Sequence, residues 1–292
     1  MLINQRPVAA GREMRTSIHH QKHFTSALRP VAPIQPDGTG LPLFLVGPGL
    51  EGLGLARGLG TNRPLYGVRV PNLELEPLPH TIEDIAAECV RGLLRVRPQG
   101  PYALCGWCAA GVLALEMAHQ LEKQGQEVAF VALFDARTIF LPEMSVGRRI
   151  LVRSWQFVQR LTFFVSQLRI QGLKVLRATI SDRLTRARDA RTRARRGLAP
   201  SHNHLLYAAL HNYRPRPWSG RIIHIWAAER PRGWFRDPEF SWSHLSPRGF
   251  VFHEVPGDHH SIMAEPDIAA VSAILASELD AVAEPARINQ HG

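Results

Sequence analysis

Apolar residues along the chain follow two periods. Short, largely unbroken apolar runs occur at LPLFLV (41–46), PLYGVRV (64–70), PYALCGW (101–107), EVAFVALFD (127–135), GRIIHIWAAE (220–229) and GFVFHEVPGDHH (249–260). Runs of this kind mark strands buried on both faces. Apolar residues at helical spacing fill 81–96, 109–125 and 265–279. Thr81 stands where a cap is needed, with Asp84 three residues on; Gly125 ends the second helix, and Pro266 falls in the first turn of the third. The order strand, helix, strand, helix, strand predicts an α/β fold. Its sheet is doubly wound and mostly parallel, and ligand sites belong at the carboxyl ends of its strands.

The flanks and one interruption break this pattern. Residues 1–38 are polar, with scattered Pro and His and no period, and read as a flexible tail or linker. The expected domain is 39–285, with 286–292 as a C-terminal tail. Met1 favours a free-standing protein, whereas the linker-like start resembles a piece that once followed a carrier domain. Residues 137–212 interrupt the α/β order with an insertion too long for a simple connection, expected to be a helical lid. Its 150–168 stretch carries an apolar stripe, and 183–196 carries almost none.

Charge follows the insertion. The chain has a net charge of +10, yet 137–197 alone holds 15 Lys plus Arg against three acids. The basicity is therefore local. Nucleic-acid binding is not expected, because aromatic residues are not interleaved with the most basic stretch and no nucleic-acid module is visible. A solvated face is the plain reading, and docking of an acidic partner through Arg183, Arg186 and Arg188 is the functional one. No apolar segment is long enough to span a bilayer, the N-terminus lacks a signal-peptide core, and three cysteines make no disulfide framework. The expected location is cytoplasmic.

Candidate chemistry lies at the strand ends. In LCGWCAAG (104–111), Cys108 stands at a strand-to-helix turn among small neighbours, as a nucleophile elbow requires. A free cysteine is also commonly just a small buried hydrophobe. Cys105 and Cys108 form a CxxC, but no second pair accompanies it, and no metal site is expected. Asp135 closes its strand 27 residues later, and His259 follows the last strand. Nucleophile, acid and histidine then occur in the chain order of α/β-hydrolases. Asp135 could instead cap the next segment, and His260, His253 and Asp258 compete with His259. The backbone N–H groups of Gly49 and Ala109 are the candidate oxyanion donors.

Together PLFLVGPG, PQGPYALCGWCAAG, EMAHQLEKQGQEVAFVALFD, YRPRPWSGRI and VPGDHHSIMAEP resemble the thioesterases of nonribosomal peptide and polyketide synthesis. The resemblance spans roughly 41–280. It implies an α/β-hydrolase fold with a helical lid and a Cys108–His259–Asp135 triad. It further implies a substrate held as a thioester on the phosphopantetheine of an acyl or peptidyl carrier protein, with no cofactor of the enzyme's own. The chain departs from the family at three positions: Cys108 replaces serine, Ala110 replaces a glycine, and Gly47 stands where histidine is common. The expected activity is capture of the acyl group on Cys108 and its release by hydrolysis, cyclisation or transfer. The alternatives are a dedicated acyltransferase between carriers and a non-catalytic basic interaction module.

Overall fold

A computed structural model describes residues 29–47, 51–74, 81–136, 145–147, 201–229, 242–246 and 249–288, and a discontinuous set between 150 and 196. Seven strands form one sheet: β1 (Val31–Gln35), β2 (Leu43–Val46), β3 (Leu65–Val68), β4 (Tyr102–Trp107), β5 (Val128–Phe134), β6 (Ile222–Ala227) and β7 (Phe250–Val255). Their order is β1-β3-β2-β4-β5-β6-β7. All pairs are parallel except β1 with β3. The direction of winding reverses between β2 and β4, which makes the sheet doubly wound and opens a crevice at its carboxyl edge.

Five labelled helices cover the sheet: α1 (Glu51–Leu59), α2 (Ile82–Val96), α3 (Ala109–Lys123), α4 (His202–Asn212) and α5 (Ile268–Ile288). Side chains alternate between faces along each strand, so one strand feeds two cores. Phe44, Leu104, Val131 and Leu133 pack with α2, α3 and α4. Leu43, Leu45, Cys105, Phe130 and Phe134 pack with α1 and α5. The described residues between 146 and 195 in the insertion are helical. Among the described residues, no helix is long and apolar enough to cross a membrane.

Three expectations are corrected. The tail expected through residue 38 ends earlier, because Val31–Gln35 is a strand. It contains Pro33, and an edge strand tolerates proline because one side needs no ladder bond; the register shifts there, between Pro33 and Gln35. Helix α1 was not expected, because EGLGLARGL is glycine-rich. Those glycines allow close packing: a Cβ on Gly58 would lie 2.3 Å from Ser272 Oγ of α5. The last helix begins at Ile268, so Pro266 precedes it, and it continues through Pro285 to Ile288.

Helix α2 starts as its sequence predicts. Thr81 Oγ1 accepts from the Asp84 N–H at 3.0 Å and donates to Asp84 Oδ2 at 2.7 Å. Thr81→Ala should therefore lower stability by about 1 kcal/mol, read as a shift in the urea midpoint at constant slope.

Candidate active site

Sheet register brings the first two site residues together. Trp107, the last residue of β4, pairs with Phe134, the last of β5, so Cys108 and Asp135 emerge side by side. Both adopt a left-handed backbone, with φ of 54° at Cys108 and 46° at Asp135. Such strain in non-glycine residues persists only where the surroundings over-determine it. At Cys108 the N–H donates to Phe134 O at 2.9 Å and the carbonyl accepts from Gly111 N at 3.2 Å. The turn leaves no room behind it. A Cβ on Gly106 would sit 2.4 Å from Ala110 O, and one on Gly111 would sit 2.8 Å from Ala136 Cβ.

Two of the departures from the family pattern are neighbours in space. A Cβ on Gly47 would meet the Ala110 methyl at 3.1 Å, and Gly47 has a φ of +65°. The methyl thus occupies space that a side chain at 47 would crowd. Gly49 lies outside the described residues. Ala109 is the first residue of α3, and its N–H bonds to the Cys108 sulfur.

His259 arrives on the loop after β7. Asp258 shapes that loop: its Oδ1 accepts from the N–H groups of His260 and Ser261, both at 2.8 Å. The Ser261 bond, above all, holds its carboxyl below the usual range. Asp258 therefore forms the turn, and His253 Nε2 faces Glu278 at 3.9 Å. His260 packs edge-on against His259, ring centres 5.2 Å apart. His259 Nδ1 lies 2.5 Å from Asp135 Oδ2. A carboxylate only accepts, so Nδ1 carries the proton and Nε2 is left for the thiol. The other oxygen, Asp135 Oδ1, accepts from Ala227 N at 3.3 Å. Trp107 braces the histidine: its Nε1–H donates to His259 O at 3.0 Å, and its ring lies 4.9 Å from the imidazole.

A second brace holds the exit from Asp135. The Ala136 carbonyl accepts from His224 Nε2 at 3.1 Å and from Trp242 Nε1 at 2.9 Å. Both donors are fully buried. His224 is ringed by Trp226, Trp242, Phe250 and Phe252. Burial drives its pKa down to about 3, which keeps it neutral.

The three cysteines differ in kind. Burial pushes Cys89 up to about 12 and the fully buried Cys105 well above its ordinary value. Burial also opposes ionisation of Cys108. There, however, a hydrogen bond and charge from His259, the Tyr207 hydroxyl and the Ala109 N–H outweigh it, and the thiol falls below its ordinary value. Sequence reasoning missed Tyr207, whose hydroxyl lies 3.9 Å from Cys108 Sγ across 99 residues, and also His224, Trp242 and Trp107. Only Trp107, inside the elbow, had a local signal. Of the basic candidates, Arg188 is exposed on the insertion, and Arg183 and Arg186 lie outside the described residues. Among the described residues, no group of three or more His, Cys, Asp or Glu is placed to hold a metal.

A doubly wound sheet with a nucleophile elbow, an acid after the next strand and a histidine after the last is an α/β-hydrolase-type arrangement. The thioesterase domain family model matches residues 54–277, and the chain belongs to that family. It is 39% identical over 116 residues to a dimodular nonribosomal peptide synthase of Bacillus subtilis (strain 168), covering 38% of this chain and 5% of that protein. It is 29% identical over 281 residues to aspulvinone E synthetase melA of Aspergillus terreus, covering 86% of this chain and 29% of that protein. The chain thus spans a minor part of these relatives' length. Its fold is similar to the NocB thioesterase domain, solved in covalent complex with a fluorophosphonate nocardicin G analogue. The TM-score is 0.56 at 22% identity, over 85% of this chain and 99% of that one.

The buried neutral His224 has a pH signature. Its ordinary value is 6.5 and its folded value about 3, so the unfolded chain binds the extra proton between those limits. Stability should therefore fall as pH drops below 6.5, by up to about 1.4 kcal/mol per unit from this group. His224→Gln, which keeps an N–H donor without titrating, should show a shallower loss in urea unfolding from pH 7 to 4.

Proposed function

We propose that this protein captures a carrier-bound acyl or peptidyl thioester on Cys108 and releases it to water, an internal nucleophile or a second acceptor. One observation carries this reading: Cys108, His259 and Asp135 converge at the carboxyl edge of the sheet, with the thiol shifted toward ionisation. In the first half-reaction His259 Nε2 takes the Cys108 proton, and the sulfur attacks the thioester carbonyl. The carbon–sulfur bond to phosphopantetheine then breaks, and the leaving thiolate takes the proton back from His259. Asp135 holds the imidazole in the tautomer this needs. Negative charge on the carbonyl oxygen is met by the Ala109 N–H and, in this reading, by the Gly49 N–H. In the second half-reaction His259 deprotonates the acceptor, and Cys108 leaves.

Sulfur bears on the outcome. A serine would turn a thioester into an ester, downhill. Cysteine exchanges one thioester for another at nearly equal free energy, so capture is reversible and the acyl group stays activated. This favours transfer or cyclisation alongside hydrolysis, and it supports, as a second reading, an acyltransferase moving groups between carriers. The partner would be an acidic carrier protein approaching the basic insertion, with phosphopantetheine as the substrate's tether.

Intact-protein mass spectrometry with an acyl-phosphopantetheine mimic should show an adduct in the wild type and none in Cys108→Ala. Chasing the adduct with water, amines or a second thiol identifies the release mode; water always fastest would exclude a transfer preference. No adduct across a range of acyl groups, and no turnover, would leave the non-catalytic interaction module as the better description. Neutralising Arg183, Arg186 and Arg188 together should cut turnover of carrier-bound substrate about tenfold while sparing a small thioester. Equal loss on both substrates would count against docking at this face.

A further inference from the structure

Helix α4 is the last piece of the insertion before the chain rejoins the sheet, and both of its ends are tied down. At its start, Glu74 Oε1 accepts from the His202 N–H at 2.9 Å, and Glu74 Oε2 pairs with Arg193 at 2.8 Å. The Leu73 N–H reaches His202 Nδ1 at 3.4 Å. Just past its end, the Tyr213 hydroxyl donates to the buried Glu116 Oε2 at 2.7 Å. Glu116 lies on α3, the helix that starts just after Cys108. Leu205, Ala209 and Leu210 bury the inner face. Tyr207 sits between these anchors, 50% exposed, with its hydroxyl 3.9 Å from Cys108 Sγ.

We propose that Tyr207 is a further catalytic residue of the same reaction, its hydroxyl donating to the Cys108 sulfur whenever that sulfur carries negative charge. The proposal rests on Cys108 as the nucleophile. A neutral thiol can donate to the phenol or accept from it, but a thiolate can only accept, and the phenol keeps its proton at neutral pH. The contact therefore favours one protonation state of the sulfur. It is lost when the sulfur is acylated and regained when the acyl group leaves. A stabilised thiolate is a better leaving group and a slightly weaker nucleophile. Tyr207 thus speeds discharge of the acyl-enzyme to an acceptor and raises the thiolate fraction available for capture. The proton balance stays with His259, and Tyr207 is unchanged at the end of each turn.

Among the described residues, few charged or titratable groups face the sulfur. His259 faces it, with Asp135 behind His259, and His260 and Asp258 flank the histidine on the same loop. Tyr207 approaches from α4. The effects of His259 and Tyr207 are therefore separable by mutation.

The test needs no knowledge of the substrate. Iodoacetamide alkylation of the full chain is followed at Cys108 by peptide mapping from pH 5 to 10, for wild type, Tyr207→Phe, His259→Ala and Cys108→Ala. At the half-exposed position 207 the phenylalanine change removes only the hydroxyl, and a thermal melt checks the fold. In Tyr207→Phe the midpoint of the rate profile should move up. Alkylation should be about 3- to 10-fold slower below the wild-type midpoint and equal or slightly faster well above it. An unmoved midpoint overturns the proposal, as does a slowing that is equal at every pH, the mark of a purely structural role. If the wild-type midpoint lies at that of an ordinary thiol and His259→Ala does not move it, the nucleophile reading fails, and this proposal falls with it. A low wild-type midpoint that His259→Ala moves and Tyr207→Phe does not overturns the role of Tyr207 alone.

Discussion

The left-handed backbone at Cys108 is the constraint on which the site depends. A residue with a side chain rests there only because its neighbours allow nothing else. Gly106 and Gly111 leave room for α3 to come back against β4, and the Cys108 amide is bonded to Phe134 of the next strand. The turn points the thiol out of the sheet's carboxyl edge and places the first N–H of α3 beside it. A larger residue at either glycine would push α3 away and lose that aim.

Asp135 repeats the solution one strand over. It too has a left-handed backbone, and it is fully buried. A buried carboxylate is costly unless it is bonded, and the Asp135 carboxyl is held by the His259 Nδ1–H and the Ala227 N–H. The carbonyl that follows it is gripped by His224 and Trp242. The chain thus leaves the sheet for the insertion from a fixed point. Polar groups hold the acid, and the acid holds the histidine.

The sulfur gains its character from three directions. The imidazole, the helix amide and the phenol together outweigh the burial that silences Cys89 and Cys105. Two of these partners are built into the α/β frame, and the third belongs to the insertion. The acidity of the Cys108 thiol is thereby linked to how α4 is seated, with Glu74 and Glu116 tying its two ends.

Much of this was legible in the sequence. The apolar runs of β2 to β6 are strands because a parallel sheet covered on both faces leaves little room for polar alternation, whereas β7, at the sheet edge, is half exposed and carries His253 and Glu254. Cys108, Asp135 and His259 could be picked out because each follows such a run, and strand ends are where this fold exposes side chains. Strand β1 was illegible because Pro33 reads as a breaker, and only an edge position excuses it. Helix α1 was illegible because its glycines serve contacts with α5, which local preference does not register. Tyr207, His224 and Trp242 act across about 90 to 110 residues of chain and leave no local trace. The sequence by itself determined the α/β order, the elbow and the residue types at the strand ends, because periodicity and turn chemistry are local. Only the tertiary structure decided which histidine meets Asp135 and what surrounds the sulfur, because those contacts depend on strand register and on how the helices seat against the sheet.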